Sequence, residues 1–185
     1  LSMSAELWGL NLVVWPEYAL TLYGEEARRV KLNLHERAIE SGTNLLLGAP
    51  EMVAYRDEQL AERFQVFNTA QGFGLASGSF AKSHLVPFGD YVPFQKVLRG
   101  LITFFDLPMS SSSKGSSDQP NIVAKLGDKT AQIAIGICYE IAFGDSMRMR
   151  AREADLLVTI TNDTWFGASI GPHQHMQIAR VRALE

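Results

Sequence analysis

The chain has 185 residues, of which 46% are hydrophobic and 20% are charged, and its 17 basic and 20 acidic side chains give a net charge of -3. These values predict a globular domain with a substantial core and argue against a disordered chain. Because no cluster of Lys and Arg interleaved with aromatic residues is present to follow a phosphate backbone, we expect no nucleic-acid partner.

Both ends of the sequence suggest a larger protein. About ten residues precede the first predicted strand, and the helical pattern of the last thirteen stops without a glycine, asparagine or proline. The first twenty residues lack a basic leader, and a proline and a glutamate interrupt their apolar run before it is long enough to span a bilayer. We therefore expect one domain over residues 1–185, truncated at both ends.

Strand and helix patterns alternate in the first part of the chain. The run LNLVVWPE (10–17) ends at a proline and predicts a buried strand with Glu17 at its carboxyl end. Apolar residues at helical spacing over 24–42, with charges on the other face, predict a helix that ends at Gly42. The next segment, TNLLLGAPEM (43–52), predicts a second buried strand.

The middle of the chain predicts a hairpin and a loop. Segments 64–73 and 74–94 have the pattern of two antiparallel strands joined by a glycine-rich turn, and the second brings Lys82 to a strand end. The serine-rich tract SSSSKGSSDQP (110–120) is too polar to pack, so we expect a mobile surface loop there.

The last third contains the strongest strand pattern, TAQIAIGICYE (130–140), in which Cys138 is the only cysteine of the chain. A second apolar run (154–163) and a helical pattern (173–185) follow. Apolar strands that alternate with helices, and that are too continuous for a one-faced sheet, predict an α/β fold whose sheets are covered on both faces.

Three predicted strand ends each present one reactive group: Glu17, Lys82 and Cys138. Singly they fit a turn carboxylate, a surface ion pair and a packed thiol, but their joint placement favours a site. A free thiol titrates near ~8.5 and a free glutamate near ~4.3, so proton transfer between them is uphill by about 5.7 kcal/mol. A lysine ammonium lowers the pKa of a nearby thiol and stabilises an oxyanion, which makes such a pair workable. The backbone N–H of Tyr139 is a candidate second oxyanion donor.

Several segments resemble motifs of a known family. VVWPEYAL (13–20), AKSHLVPFGDYVPF (81–94) and GICYEIAFG (136–144) are similar, in order and local context, to the Glu, Lys and Cys motifs of the carbon–nitrogen hydrolase (nitrilase) superfamily. Together with FFDLPMSSSSKG (104–115) and TNDTWFGASIGPHQHMQIARVRALE (161–185), they more specifically resemble the periplasmic domain of the bacterial apolipoprotein N-acyltransferase family.

This resemblance implies a four-layer αββα sandwich in which Glu17 is the general base, Lys82 stabilises the oxyanion and Cys138 is the nucleophile. It implies transfer of an acyl chain from a phospholipid, through a thioester, to the amino group of a diacylglyceryl-cysteine apolipoprotein. No cofactor or metal is implied. The resemblance also implies membrane-spanning helices outside this chain, with the catalytic domain on the periplasmic side of the bacterial inner membrane.

Further residues are expected around the trio. Asp90 stands where the family usually has a supporting glutamate, and its side chain is one methylene shorter. Glu140 is a candidate for substrate contact and equally for a structural hydrogen-bonding carboxylate. Trp165 and Phe166 are expected on the rim of the site, and Trp15 in the core.

Two further segments allow more than one interpretation. The stretch RGLITFFDLPMSSSSKG (99–115) combines an apolar run with the serine tract, which fits either a lid over acyl chains or core packing. Asn162 and Asp163 are candidates to cap or tether loops around the nucleophile.

Histidines suggest a rival, a Cys–His hydrolase with His84, His173 or His175 as its base. Such a site usually places its cysteine at a helix start, whereas Cys138 ends a strand. A metal at His173 and His175 is disfavoured because a spacing of two residues directs the rings apart, and we expect both near the surface or behind the site.

Two other functions remain open. A soluble amidase or nitrilase with the same trio predicts turnover of small amides. A non-catalytic lipid- or lipoprotein-binding module predicts no adduct on Cys138.

Overall fold

The apolar runs of the sequence form two β-sheets in a computed structural model, which describes residues 7–56, 62–87, 89–91 and 112–185. The first sheet has the order β1 (Leu12–Val14), β2 (Asn44–Arg56), β3 (Glu62–Gly74) and β4 (Ser79–Ala81). In this sheet β1 and β2 are parallel, and the other pairs are antiparallel.

The second sheet has the order β5 (Ile122–Leu126), β6 (Lys129–Ile137) and β7 (Leu156–Ile160), with β5 antiparallel and β7 parallel to β6. Among the described residues, the α-helices are α1 (Gly24–Glu40), α2 (Gly144–Ala151) and α3 (Gly171–Arg182). The 3-10 helix Cys138–Ala142 follows β6 directly, and the 3-10 helix Asp163–Phe166 follows β7 after two residues.

Successive side chains of a strand point to opposite faces of its sheet, and this alternation explains how the two sheets and the helices are layered. On β2, Leu45 and Leu47 pack with Leu34 of α1, while Leu46 points to the opposite face and packs with Ile135 of β6 between the sheets. On the far side of β6, Gly136 leaves room for Met147 of α2, since a Cβ there would lie 3.0 Å from the Met147 methyl carbon. The layers are therefore α1, first sheet, second sheet and α2, which confirms the predicted αββα sandwich.

The predicted end of the first helix is confirmed in its geometry. Gly42 has φ +68°, which favours glycine, and its N–H donates to the carbonyl of Ile39 at 3.0 Å. The next N–H, from Thr43, donates to the carbonyl of Ala38 at 2.8 Å, so two otherwise unpaired helix carbonyls are satisfied. Trp15 packs against this helix and the first sheet, as expected for a core residue.

The serine tract differs from the prediction in its described part, which begins at Ser112. The N–H of Ser113 donates to the carbonyl of Val66 at 2.6 Å, and that of Gly115 donates to the carbonyl of Lys82 at 2.9 Å. The expectation that the tract is unable to pack is wrong at Gly115, which is buried. The physical reason is that small residues let the backbone itself approach β4: a Cβ on Gly115 would lie 2.8 Å from that of Ala81.

Phe88 and residues 92–111 lie outside the described residues. The apolar residues of the predicted lid belong to this second range. Within the described part of the chain, no helix is long and apolar enough to cross a membrane.

Candidate active site

Lys82 is the centre of a buried charge cluster at the end of β4. Its Nζ lies 2.8 Å from Oδ2 of Asp90 and 3.3 Å from Oε1 of Glu17, and its side chain is only 2% exposed. Asp90 therefore reaches the lysine although it is shorter than the family's usual glutamate. Oδ2 of Asp90 also accepts the backbone N–H of Val86 at 2.8 Å, so the lysine and the backbone hold the same carboxylate oxygen.

Glu17 is held at this cluster by backbone packing and by hydrogen bonds. Gly48 on β2 lets the chain turn across the sheet, because a Cβ at position 48 would lie 2.7 Å from Cα of Glu17. Oε1 of Glu17 accepts the side-chain amide of Asn68 at 2.7 Å, and Oε2 accepts the backbone N–H of Asn162 at 3.0 Å. The carboxylate is thus oriented from both sheets.

Charge balance keeps Lys82 cationic. Burial by itself would lower its pKa, but the carboxylates of Glu17 and Asp90 outweigh this effect and hold the pKa above the usual value for lysine. A cation in this environment can face a developing oxyanion without losing its proton.

Cys138 lies at the junction between β6 and the 3-10 helix that follows. It has φ +53°, an uncommon conformation for a residue other than glycine, and it is buried. Burial, followed by the Glu17 carboxylate, raises the pKa of the thiol to about 11, although Lys82 and hydrogen bonds from Thr161 and the Tyr139 N–H act in the opposite direction. The lysine therefore acts as expected, but burial outweighs it and the resting thiol is neutral at physiological pH.

Glu140 is a structural link between the Cys138 turn and the Lys82 strand end. Oε2 accepts the N–H of Ile137 at 2.9 Å, Oε1 accepts the N–H of Ser83 at 2.9 Å, and Arg150 lies 3.2 Å from Oε1. Burial would raise the pKa of Glu140, but Arg150 and these hydrogen bonds outweigh it and lower the pKa. Its carboxylate is thus occupied by protein partners, which fits the structural interpretation rather than contact with substrate.

A cavity of about 500 Å³ opens onto this cluster. Its floor contains Lys82, Asp90 and Cys138, and most of its wall is apolar. Besides Lys82 and Cys138, the predicted site residues that line it are Asp90, Tyr139, Trp165 and Phe166. Trp165 and Phe166 are 58% and 48% exposed, so they form the rim.

Sequence reasoning missed Asn68, which is buried in β3 and hydrogen-bonds the Glu17 carboxylate. A buried amide needs a polar partner, and an asparagine that follows the apolar residues Val66 and Phe67 in this strand was the available signal.

The histidines occupy different surroundings. His175 lies beside Cys138: its Nε2 is 3.1 Å from the carbonyl oxygen of Cys138 and its Nδ1 is 2.8 Å from Oδ1 of Asp163. His84 stacks on Phe143 with ring centroids 4.3 Å apart, and His173 is exposed. Within residues 7–56, 62–87, 89–91 and 112–185, no group of three or more His, Cys, Asp or Glu is arranged to hold a metal ion.

An αββα sandwich that brings a glutamate and a lysine together at its strand ends, beside a cavity that a cysteine lines, has the architecture of a carbon–nitrogen hydrolase. The profile of the carbon-nitrogen hydrolase family matches residues 1–185, and the chain belongs to this family.

Among curated relatives, the chain is 42% identical over 177 residues to a Pseudomonas aeruginosa protein named apolipoprotein N-acyltransferase, and 44% identical over 176 residues to one of that name from Azotobacter vinelandii. These matches cover 95% of this chain and 33% of each relative. A Vibrio vulnificus protein of the same name is 38% identical over 193 residues, covering 99% of this chain and 36% of the relative. The chain thus spans about a third of the length of these relatives.

Solved structures support the same fold. An amidase from Nesterenkonia sp. has a TM-score of 0.50 with 20% identity, covering 90% of this chain and 59% of the amidase. A glutamine-dependent NAD+ synthetase from Acinetobacter baumannii has a TM-score of 0.51 with 17% identity, covering 95% of this chain and 30% of the synthetase.

Proposed function

We propose that this chain is the catalytic domain of an apolipoprotein N-acyltransferase that uses Cys138 as its nucleophile. The observation that carries the proposal is the 42–44% identity, over 95% of the chain, to proteins of that name. The buried Glu17–Lys82 pair beside the cavity that Cys138 lines supplies groups suited to this chemistry. The mostly apolar wall of this cavity suits an acyl chain.

The first half-reaction forms a thioester. The Cys138 sulfur attacks the carbonyl carbon of a phospholipid acyl ester while Glu17 takes the thiol proton, because the neutral thiol must lose it as the S–C bond forms. The Lys82 ammonium and the backbone N–H of Tyr139 stabilise the oxyanion. The C–O ester bond then breaks, Glu17 returns the proton to the leaving oxygen, and a lysophospholipid departs.

The second half-reaction transfers the acyl group to nitrogen. The α-amino group of a diacylglyceryl-cysteine apolipoprotein attacks the thioester carbon, and Glu17 takes a proton from the nitrogen. Collapse breaks the C–S bond, the sulfur regains a proton, and an N-acylated lipoprotein leaves. Water must be kept from the thioester, and the apolar rim formed by Trp165 and Phe166 serves this purpose.

Location follows from the same proposal. Both substrates are anchored in a lipid bilayer, so the domain must act at a membrane surface. We place it on the periplasmic side of the bacterial inner membrane, connected to membrane-spanning segments outside this chain.

The test is intact-mass analysis of the full-length protein after incubation with phospholipid, with and without hydroxylamine. We expect an added acyl mass that hydroxylamine removes and that Cys138→Ser abolishes. An unmodified protein that hydrolyses small amides would instead support a soluble amidase, and a protein with neither activity would support a binding module. Lys82→Met is the matched variant that retains the thiol and should abolish acylation.

A further inference from the structure

A chain of hydrogen-bonded polar groups reaches the Cys138 carbonyl, apart from the Lys82 charge cluster. The His175 ring places Nδ1 2.8 Å from Oδ1 of Asp163 and Nε2 3.1 Å from the carbonyl oxygen of Cys138. The Thr161 hydroxyl donates to the same Asp163 oxygen at 2.8 Å. The Cys138 carbonyl is therefore contacted by a ring that is itself held by Asp163.

The chemistry of the partners determines where the His175 protons lie. A carbonyl oxygen only accepts hydrogen bonds, so Nε2 of His175 must donate to Cys138. An ionised carboxylate also only accepts, so Nδ1 must donate to Asp163. While Asp163 is ionised, satisfying both bonds requires an imidazolium. The side chains of His175 and Asp163 are 13% and 19% exposed, which limits the screening of this ion pair by water.

The backbone at Cys138 needs such an anchor. A residue other than glycine at φ +53° is strained, and strained conformations persist only where the surroundings hold them. The carbonyl of Cys138 belongs to this strained turn, and the turn determines the direction of the side chain. We propose that His175 is a positioning residue: as an imidazolium paired with Asp163, it anchors the Cys138 carbonyl and so aims the thiol into the cavity.

This arrangement makes the anchor sensitive to pH. The titratable groups that surround His175, from the elements packed against α3 and from the shared cavity, are Asp163, Cys138, Tyr139, Lys82 and Asp90. Glu140, on the same 3-10 helix as Cys138, is instead turned toward Arg150. When rising pH removes one His175 proton, a bare ring nitrogen faces an acceptor, and one of the two bonds is lost.

Two substitutions separate the charge from the hydrogen bonds. In Asp163→Asn the new amide can donate to Nδ1, so a neutral ring with a proton on Nε2 keeps both bonds. In His175→Ala both bonds are absent. His173→Ala, on the exposed neighbour two residues away, is the matched control.

The inference rests on the proposed function for its kinetic readout. With the full-length enzyme, we expect His175→Ala to lower kcat for acyl transfer by about 10- to 100-fold while KM changes by less than about threefold. As the pH rises, wild-type kcat should fall in one step, when His175 loses a proton. This step should be absent from the pH profile of Asp163→Asn. Unchanged kcat in His175→Ala, or the same ionisation in Asp163→Asn, would overturn the proposal.

A second readout needs no lipid substrate. Nitrogen-15 NMR of histidine-labelled full-length protein at neutral pH should show two N–H groups on His175 in the wild type and one in Asp163→Asn. A neutral His175 ring in the wild type would overturn the proposal even if acyl transfer is confirmed. An imidazolium in a protein that forms no acyl-enzyme would refute the proposed function and leave the positioning role standing. If His175→Ala does not fold, the Asp163→Asn comparison decides.

Discussion

The resting state of Cys138 leads to a sharp prediction about its reactivity. Burial and the Glu17 carboxylate raise the pKa of the thiol from 9.0 to about 11. A shift of two pKa units lowers the thiolate fraction at neutral pH by about 100-fold relative to an unperturbed thiol. Because iodoacetamide reacts with the thiolate, labelling of Cys138 should be slow at neutral pH and should rise about tenfold per pH unit without levelling off below pH ~10.

Removing the Glu17 carboxylate and removing the Lys82 ammonium should change the labelling rate of Cys138 in opposite directions. Glu17→Gln removes the carboxylate that raises the pKa of the thiol, so labelling at neutral pH should increase although acyl transfer is lost. Lys82→Met removes the cation that lowers the pKa, so labelling should decrease. The two variants remove opposite charges and leave residue 138 itself intact, so the opposite directions of their effects separate charge from access.

The assay follows the alkylated Cys138 peptide of the full-length protein by mass spectrometry over a series of pH values, with Cys138→Ser as the blank. Burial alone can slow labelling by restricting access, so the shape of the pH profile is the decisive measurement. A plateau that begins near neutral pH, or a slower rate in Glu17→Gln, would refute a neutral resting thiol.

Three more substitutions test the supporting contacts. Asn68→Asp would place a second carboxylate about 2.7 Å from that of Glu17, so one of the two must hold a proton; acylation should fall at least about 100-fold in the intact-mass assay. Gly48→Ala would push a methyl group against the backbone of Glu17 and should lower kcat in the acylation assay. Glu140→Gln breaks the buried pair with Arg150 and should lower the free energy of unfolding in urea by about 3–5 kcal/mol. Because the folded pKa of Glu140 is lowered, its ionised carboxylate stabilises the fold above the unfolded pKa of 4.5, and this stabilisation is lost as the pH falls through the folded pKa. The difference in unfolding free energy between wild type and Glu140→Gln should therefore become smaller below pH 4.5.

Each of these tests has a comparison variant or a contrary result. Asn68→Leu removes the amide without adding charge and should cost less activity than Asn68→Asp; equal losses would argue against charge repulsion. Full activity in Gly48→Ala would show that Glu17 does not depend on this close contact. Glu153→Gln, on an exposed residue near the end of α2, should leave the unfolding free energy unchanged.

The sequence by itself determined the order of strands and helices and the groups at the strand ends. Continuous apolar runs such as that of β2 predicted sheets covered on both faces, because each face of a strand shows only every second residue. The polar residues that end these runs identified Glu17, Lys82 and Cys138, and the local motifs around them identified the family. These features are local, so a reading of neighbouring residues is sufficient to find them.

Only the tertiary structure decided how the groups meet. Glu17 and Lys82 are 65 positions apart in the chain, yet their charged atoms lie 3.3 Å apart. Packing of distant segments buries the Cys138 thiol and raises its pKa, directs Glu140 to Arg150 and brings His175 to the Cys138 carbonyl. A pKa and a hydrogen-bond partner depend on what surrounds a group from every direction, and long-range packing sets those surroundings.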